Sequence, residues 1–211
     1  TLLILRVGEG PDDISYEKGA TKKAEAVGVK VVNRVLPADV SQDEFDAALI
    51  EANEDDSVHG ILMFRPLPKT LDNERARKML SPKKDIDGCT DGSLAGVFTN
   101  EKVGFPPCTA EAAMEILKYY NIELKGKNVV IVGRSNLVGK PLASLMTNND
   151  ATVTICHSKT NELREHTKRA DILIAAIGQP KFIDETYIKE GAVVIDVGIH
   201  RDENNKLYGD V

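Results

Sequence analysis

Short apolar runs alternate with longer segments of mixed apolar and polar residues, and this alternation extends along the whole chain. The short runs are rich in Val, Ile and Leu and end near Gly or Pro, which predicts buried strands. The longer segments predict helices, and strands that alternate with helices are typical of a parallel sheet covered by helices. The strands are predicted at 2–7, 29–36, 58–64, 128–133, 151–157, 171–178 and 192–198.

Helix signals lie between these strands. Gly28 can end the first helix, because glycine readily adopts the left-handed conformation found at helix C-termini. Ser41 can cap the second helix, and Glu44 stands at the capping-box position. The sequence also predicts a polar loop at 81–93. The helices are predicted at 13–27, 42–53, 73–80, 109–121, from the turn after residue 133 to about 149, at 161–169 and at 184–189.

The elements form two series, which predicts two α/β domains that flank a ligand cleft. We place the boundary near Cys108, with a first domain at 1–108 and a Rossmann-like second domain at 109–211. The chain has no initiator Met and begins inside an apolar run, so we expect both ends to be truncated.

Composition narrows the functional class. Of the 211 residues, 42% are hydrophobic and 28% are charged, as in globular proteins with a substantial core. A net charge of −6 argues against a nucleic-acid partner, and the lack of a long apolar run argues against a membrane-spanning segment.

Cysteine and histidine are scattered, so no metal site is predicted. The three cysteines fit neither a CxxC pattern nor a secreted disulfide framework, and we expect thiols in a reducing cytoplasm. These residues are Cys89, Cys108, Cys156, His59, His157, His166 and His200.

A glycine turn after the fourth strand is a candidate dinucleotide site. In "VVIVGRSNLVGKPLA" a buried strand runs into Gly133, and Gly139 opens a helix. The usual fingerprint is G-x-G-x-x-G, and Ser135 occupies the middle glycine position here. Glycine permits the tight turn, and a helix N-terminus attracts a pyrophosphate. The alternative is a turn in which the glycines serve packing alone.

The next strand ends in "CHSKT", which bears on the choice of cofactor. An acidic residue at this position grips the ribose of NAD, whereas basic residues accommodate the 2′-phosphate of NADP. Here the chain has His157, Ser158 and Lys159, with Arg134 in the glycine turn. Hydroxyl, ammonium and guanidinium groups suit a phosphate, so NADP is favoured.

Seven motifs occur in an order that resembles the methylenetetrahydrofolate dehydrogenase/cyclohydrolase family. The resemblance implies oxidation of 5,10-methylene-tetrahydrofolate by NADP, hydrolysis of the methenyl product to 10-formyl-tetrahydrofolate in most members, and a homodimer. Compared with the family, the chain lacks an N-terminal strand–helix segment and a C-terminal segment. The motifs are "VHGILMFRPLP", "PKKDIDG", "PPCTAEA", "VGRSNLVGKP", "TVTICHSKT", "ADILIAAIGQP" and "GAVVIDVGI".

The resemblance also implies roles for individual residues. Tyr16 would stack on the folate ring as a flat aromatic platform, and Asp87 would accept hydrogen bonds from the pterin edge. Asp85 is expected to be structural, and Cys108 to lie at the cleft. Further substrate contacts are expected at Phe64, Pro66 and Leu67. Cofactor contacts are expected at Thr109, Gly133, Arg134, Ser135, Val138, Gly139, His157, Ser158, Lys159, Gly178, Gly198 and Ile199.

The chain departs from the family pattern at two positions that serve hydrolysis. The family's lysine, four residues after the tyrosine, is Ala20 here, and its glutamine is Phe64. Residues four apart lie on one helix face, so the lysine would reach the same ligand as the tyrosine. We therefore predict that dehydrogenase activity is retained and that cyclohydrolase activity is weak or absent. The nearby lysines, Lys18, Lys22 and Lys23, are expected to be solvated surface residues.

Three alternatives stay open at this point. The protein could keep both activities through other groups, or it could bind folate or NADP without catalysis. It could also be another two-domain dehydrogenase, such as a shikimate-type enzyme, but that would leave "KKDIDG" and "PPCT" unexplained.

Overall fold

The structure is a computed structural model that describes residues 1–204 and 206–211. It confirms the predicted α/β class, with two parallel sheets and helices between their strands. The chain forms two compact units, the first comprising Thr1–Gly96 with Glu101–Pro106, and the second comprising Val97–Asn100 with Pro107–Val211.

The first unit contains a three-stranded parallel sheet in the order β2-β1-β3. Its strands are β1 (Leu2–Val7), β2 (Val31–Leu36) and β3 (Gly60–Met63), and its helices are α1 (Pro11–Ala26), α2 (Gln42–Glu54) and α3 (Asn73–Met79). The predicted capping box of α2 is confirmed, because Ser41 and Glu44 bond to each other's backbone N–H groups.

Side chains alternate across this sheet and build a core on each face. On one face Leu3 and Leu5 pack with Phe45 of α2. On the other face Ile4 packs with Phe64, which follows β3, in a smaller cluster. An ion pair of 2.9 Å between Arg6 of β1 and Glu17 of α1 lies on the same side.

The predicted loop at 81–93 is wrong at its end, because helix α4 begins there and spans Asp91–Thr99. The start of this helix is rich in Gly, Asp, Thr and Ser, which are typical of turns, so the sequence pattern did not indicate a helix. The hydroxyl of Thr90 accepts a hydrogen bond from the Ser93 N–H at 3.1 Å, as a residue that caps a helix does. The Asp85 carboxylate in turn accepts hydrogen bonds from the Thr90 N–H and the Ser93 hydroxyl, each at 2.7 Å.

The second unit contains a four-stranded parallel sheet in the order β5-β4-β6-β7. Since β5 and β6 flank β4 on opposite sides, a crevice opens at the carboxyl end of β4, where such sheets bind ligands. The strands are β4 (Asn128–Val132), β5 (Thr152–Cys156), β6 (Ile172–Ala175) and β7 (Val193–Asp196). The helices are α5 (Cys108–Tyr119), α6 (Gly139–Thr147) and α7 (Leu163–Thr167), with a 3₁₀ turn at Glu185–Tyr187.

A hairpin of two short strands, β8 (His200–Arg201) and β9 (Leu207–Tyr208), follows β7 and was not predicted. Two-residue strands carry no periodicity that a sequence pattern could reveal. Across the part of the chain that the structure describes, no helix combines the length and apolarity needed to cross a membrane.

Candidate active site

Tyr16 and Phe64 form an aromatic pair in the first unit. Their ring centroids are 5.2 Å apart and the ring planes are tilted by 48°. Tyr16 lies in α1 and is 60% exposed, whereas Phe64 is 7% exposed. The Phe64 N–H donates to the Leu5 carbonyl at 2.9 Å, which continues the pairing of β3 with β1. A buried ring on the sheet therefore supports an exposed ring on the helix.

Ala20 joins the same assembly. It packs against the apolar cluster that contains Phe64, Ile4 and Leu62. Ala20 and Phe64, the two positions at which a departure from the family pattern is predicted, are thus in one apolar cluster, next to Tyr16. Neither side chain there carries a hydrogen-bonding group.

The lysines of α1 are on the solvent side. Lys18, Lys22 and Lys23 are all exposed, and no residue of α1 is fully buried. This exposure agrees with their interpretation as solvated surface residues.

Asp85 and Asp87 differ in their surroundings. Asp85 is fully buried, and its carboxylate also accepts a hydrogen bond from the Cys89 N–H at 3.1 Å, which agrees with the structural role expected of it. Burial, helped by the Asp85 charge, raises the pKa of the Cys89 thiol to about 12. Asp87 is half-buried and follows Ile86, whose side chain packs against the Phe64 cluster. The chain therefore passes close to the Tyr16–Phe64 pair just before Asp87.

The remaining predicted substrate contacts are divided between surface and core. Pro66 is exposed, whereas the Leu67 side chain is buried in the core cluster of the α2 face. The Leu67 N–H donates to the Asn73 side chain at 2.8 Å. Leu67 thus serves the core, and its role as a substrate contact stays a prediction. Cys108 and Thr109 are both exposed at the start of α5.

A cavity of about 290 Å³ lies at the carboxyl ends of β4, β5 and β6. Its position matches the crevice that the strand order creates. Five of the predicted cofactor residues line it, namely Gly133, Arg134, Ser135, His157 and Ser158.

The glycine turn is built by close backbone contact. Gly133 has a φ of +135°, and a Cβ there would lie 2.2 Å from the Ala176 carbonyl oxygen. A Cβ on Gly139 would lie 2.1 Å from the Gly133 carbonyl oxygen. The Ser135 hydroxyl accepts a hydrogen bond from the Val138 N–H at 3.0 Å, which leaves its own proton available to a ligand. Glycine is thus required at both positions to shape the cavity wall.

The turn after β5 presents polar groups to the same cavity. The His157 N–H donates to the Thr160 hydroxyl at 2.8 Å, and His157 Nδ1 accepts from the Lys159 N–H at 3.1 Å. The side chains of Ser158 and Lys159 are exposed. Arg134, His157 and Ser158 line the cavity and supply donors and positive charge, and none of the residues that line it is acidic. Lys159 follows Ser158 in the chain but is outside the lining. This donor set fits a phosphorylated dinucleotide.

The predicted nicotinamide residues Gly178, Gly198 and Ile199 are outside the cavity lining, and Gly178 stands in the chain between two residues that line it. Gly178 has a φ of +65° and donates its N–H to the Asp210 carboxylate at 3.1 Å. A Cβ on Gly198 would lie 2.5 Å from Cγ of Asp210. Both glycines therefore contact one buried acid, which the sequence did not single out. Ile199 is 79% exposed.

Sequence reasoning missed the apolar lining of the cavity. Leu163, Ile177 and Phe182 contribute to it, as does Gln179 from the "AIGQP" motif. Gln179 could have been found from its motif. Leu163, at the start of α7, and Phe182, in a loop, show no local sequence pattern that would have indicated a role in the cavity. A larger groove of about 570 Å³ runs along α5 and α6, but none of the predicted site residues lines it.

Within the described ranges, no group of three or more His, Cys, Asp or Glu side chains is arranged to hold a metal ion. Cys89 and Cys156 are buried and Cys108 is exposed, and none of the three forms a disulfide within the described residues.

The parallel sheet with a polar crevice at its topological switch point defines an α/β protein with a dinucleotide-type binding domain. Comparison with known families agrees. Residues 107–211 match the NAD(P)-binding domain of tetrahydrofolate dehydrogenase/cyclohydrolase, and residues 1–87 match its catalytic domain. The chain belongs to the tetrahydrofolate dehydrogenase/cyclohydrolase family. The predicted family, the enzyme class and the NAD(P)-binding domain are confirmed, and the shikimate-type alternative is removed.

Relatives cover nearly the whole chain. The bifunctional protein FolD of Clostridium kluyveri is 50% identical over 210 residues, which are 100% of this chain and 74% of that protein. The crystal structure of the bifunctional FolD enzyme from Campylobacter jejuni superposes with a TM-score of 0.96 at 38% identity, covering 100% of this chain and 74% of the other. Trypanosoma brucei FolD, solved with NADP and an inhibitor, has a TM-score of 0.90 at 34% identity and covers 99% of this chain and 73% of its own.

Proposed function

We propose that the protein is an NADP-dependent methylenetetrahydrofolate dehydrogenase without effective cyclohydrolase activity. It would oxidise 5,10-methylene-tetrahydrofolate to 5,10-methenyl-tetrahydrofolate. The observation that carries the proposal is the apolar contact of Phe64 and Ala20 beside Tyr16, within a chain that matches both domains of the family.

The first unit would hold the folate. The exposed ring of Tyr16 offers a flat apolar face to the pterin. Phe64, which packs against the Tyr16 ring, would fix the position of that ring. Asp87 would accept hydrogen bonds from the pterin edge. Oxidation by hydride transfer moves no proton to or from the substrate. The side chains therefore need only to hold the methylene carbon close to the cofactor and to exclude water.

The second unit would hold the cofactor. Bound NADP accepts the hydride that the methylene carbon gives up, and the carbon is left as a methenyl cation. Arg134, Ser158 and Lys159 would neutralise the 2′-phosphate. Leu163 and Phe182 would supply an apolar wall for the flat adenine ring. The remaining predicted cofactor contacts stay part of this proposal.

Hydrolysis of the methenyl group makes a different demand. Water must be positioned at the carbon, and a proton must be passed on. Ala20 and Phe64 offer no group for either task, and the lysines of α1 are exposed to solvent. The methenyl product would therefore leave intact and would be consumed by a separate hydrolytic enzyme.

A paired assay on one preparation tests this proposal. We expect NADP-dependent formation of methenyl-tetrahydrofolate, and no hydrolysis of added methenyl-tetrahydrofolate above the buffer rate. Rapid hydrolysis that disappears in the Lys23→Ala variant would show that a surface lysine has taken over the catalytic role. Binding of both ligands without NADPH formation would instead favour a silent binding protein.

Three further features belong to the proposal. We expect a homodimer, as the family resemblance implies, which sedimentation velocity would detect. We expect the enzyme in the cytoplasm, in keeping with its three free thiols. We also expect no binding to nucleic acid or membranes at a net charge of −6.

A further inference from the structure

Asp210 is a buried carboxylate that no step of the proposed reaction uses. Its side chain is completely inaccessible to solvent. One oxygen, Oδ2, accepts hydrogen bonds from the Ile177 N–H at 2.8 Å and from the Gly178 N–H at 3.1 Å. The other oxygen, Oδ1, accepts from His200 Nε2 at 2.9 Å. Because a carboxylate only accepts, His200 carries a proton on Nε2 here.

The loop that Asp210 holds is a wall of the cofactor cavity. The last sheet bond on this side of β6 is made by the Ala176 N–H, which donates to Val132 at 2.9 Å. Beyond that point Ile177 and Gln179 line the cavity, and Gly178 turns the chain with a φ of +65°. The backbone bonds between β4 and β6 therefore end where the 177–179 loop begins. In this loop the Asp210 carboxylate, instead of a neighbouring strand, accepts the backbone N–H bonds.

Asp210 is itself held on both sides. Its N–H donates to the Asp196 carboxylate at 3.0 Å, and its carbonyl accepts from the Ile183 N–H at 2.9 Å. A Cβ on Gly198 would lie 2.5 Å from the Asp210 backbone nitrogen, so the two backbones are in direct contact. Asp210 thus connects the end of β7 with the loop after β6, and neither can shift without the other.

The charge of this carboxylate is retained despite its burial. Burial by itself opposes ionisation of Asp210, but the hydrogen bonds from His200, Ile177, Gly178 and Gln179 together outweigh it and keep the pKa below its usual range. A charged acceptor bonds to backbone N–H groups more strongly than a neutral one does. The loop is consequently fixed by charge-assisted bonds rather than by sheet pairing.

We propose that Asp210 is a positioning residue of the cofactor site, which fixes the 177–179 loop in the shape that NADP requires. The inference rests on the proposed NADP-dependent function. Asp210 itself does not line the cavity, and it would act through the backbone of the 177–179 loop, in which Ile177 and Gln179 do.

The matched experiment compares Asp210→Asn with Asp171→Asn. Asp171 also accepts a backbone N–H, from Asn128 at 3.0 Å, and a side-chain bond from Lys189 at 2.6 Å. It lies at the opposite, amino-terminal edge of the same sheet. The dissociation constant for NADP is measured by fluorescence titration, together with the melting temperature of each protein without ligand and the KM for the folate substrate.

We expect Asp210→Asn to raise the NADP dissociation constant about tenfold to a hundredfold, because a small displacement of a positioning element is costly. The folate KM should stay within about twofold, because the residues proposed to bind folate belong to the first unit, whereas Asp210 and the 177–179 loop belong to the second. Asp171→Asn should lower the melting temperature without changing NADP affinity. Unchanged NADP affinity in Asp210→Asn, or an equal change in both variants, would overturn the proposal.

A second variant covers the case in which Asp210→Asn does not fold. His200→Ala removes the bond to Oδ1 and the ring contact of His200 with Tyr208. If the His200 bond holds the Asp210 carboxylate in position to bind the loop, the NADP dissociation constant should rise by a smaller but measurable amount. Wild-type NADP affinity in a folded His200→Ala protein would contradict positioning of the loop by a carboxylate that His200 holds. Failure of the wild-type protein to bind NADP at all would instead refute the proposed function together with this inference.

Discussion

The ring of Phe64 lies 5.2 Å from the ring of Tyr16 and is tilted by 48° to it. Phe64, at the position where the family resemblance implies a glutamine, packs against an aromatic ring. Ala20, at the position where the resemblance implies a lysine, packs against the same cluster.

Replacing Phe64 by Leu should weaken folate binding while the apolar contact is kept. An aromatic pair contributes about 0.5–1.5 kcal/mol beyond its buried area, which corresponds to a rise of about two- to tenfold in the folate KM. Steady-state kinetics at saturating NADP would measure this. The NADP dissociation constant is the control and should not change. An unaltered folate KM would mean that Phe64 does not support the Tyr16 ring.

The double variant Ala20→Lys with Phe64→Gln should gain hydrolytic activity. It restores a proton-handling group and a polar group on one surface, and such groups contribute about 10²- to 10⁴-fold to rates. We expect hydrolysis of methenyl-tetrahydrofolate clearly above the buffer rate, and the loss of methenyl absorbance measures it. Each single variant should gain much less. If the double variant binds folate but hydrolyses nothing, further differences must separate this chain from bifunctional relatives.

Arg134→Ala should reduce the preference for NADP over NAD. A hydrogen bond to a charged group contributes about 1.5–3 kcal/mol, or roughly ten- to a hundredfold in NADP affinity. NAD lacks the 2′-phosphate, so its affinity should change little and provides the internal control. Calorimetric titration of both cofactors measures the ratio. Equal losses for the two cofactors would place Arg134 at the pyrophosphate instead.

Glu17→Met should destabilise the first unit by leaving Arg6 buried without its partner. The side chains of Arg6 and Glu17 are only 7% and 12% exposed. Breaking a buried ion pair from one side costs about 3–5 kcal/mol, whereas replacing both partners by apolar residues is often neutral. The matched control is therefore Arg6→Met with Glu17→Met, which should recover most of the stability in urea unfolding. A double variant as unstable as the single one would contradict this explanation.

Thiol labelling should separate Cys108 from the other cysteines. Burial raises the pKa of the Cys89 thiol to about 12, so at pH 8 its thiolate fraction is roughly 10⁻⁴. Burial also raises the pKa of Cys156. Iodoacetamide at pH 8 should thus modify the exposed Cys108 in the native protein and all three cysteines in urea, as mass spectrometry would show. Native-state modification of Cys89 would indicate local opening of its core cluster.

The alternation of apolar runs and mixed segments was enough to predict the α/β class and the positions of the seven longer strands. Both properties depend on local periodicity, which a single chain displays directly. Local signals also located the glycine turn at Gly133 and the absence of an acid after β5. The start of α4 and the β8–β9 hairpin escaped because turn residues and two-residue strands carry no such period.

By itself, the sequence determined which chemical groups are available: the apolar side chains of Ala20 and Phe64, and basic and hydroxyl groups after β4 and β5. Only the tertiary structure decided which of them meet. It brought Phe64 under Tyr16, and Asp210 to the N–H groups of Ile177 and Gly178. Contacts between residues far apart in the chain depend on strand order and on how helices cross the sheet, and these are properties of the packed core that no local window contains.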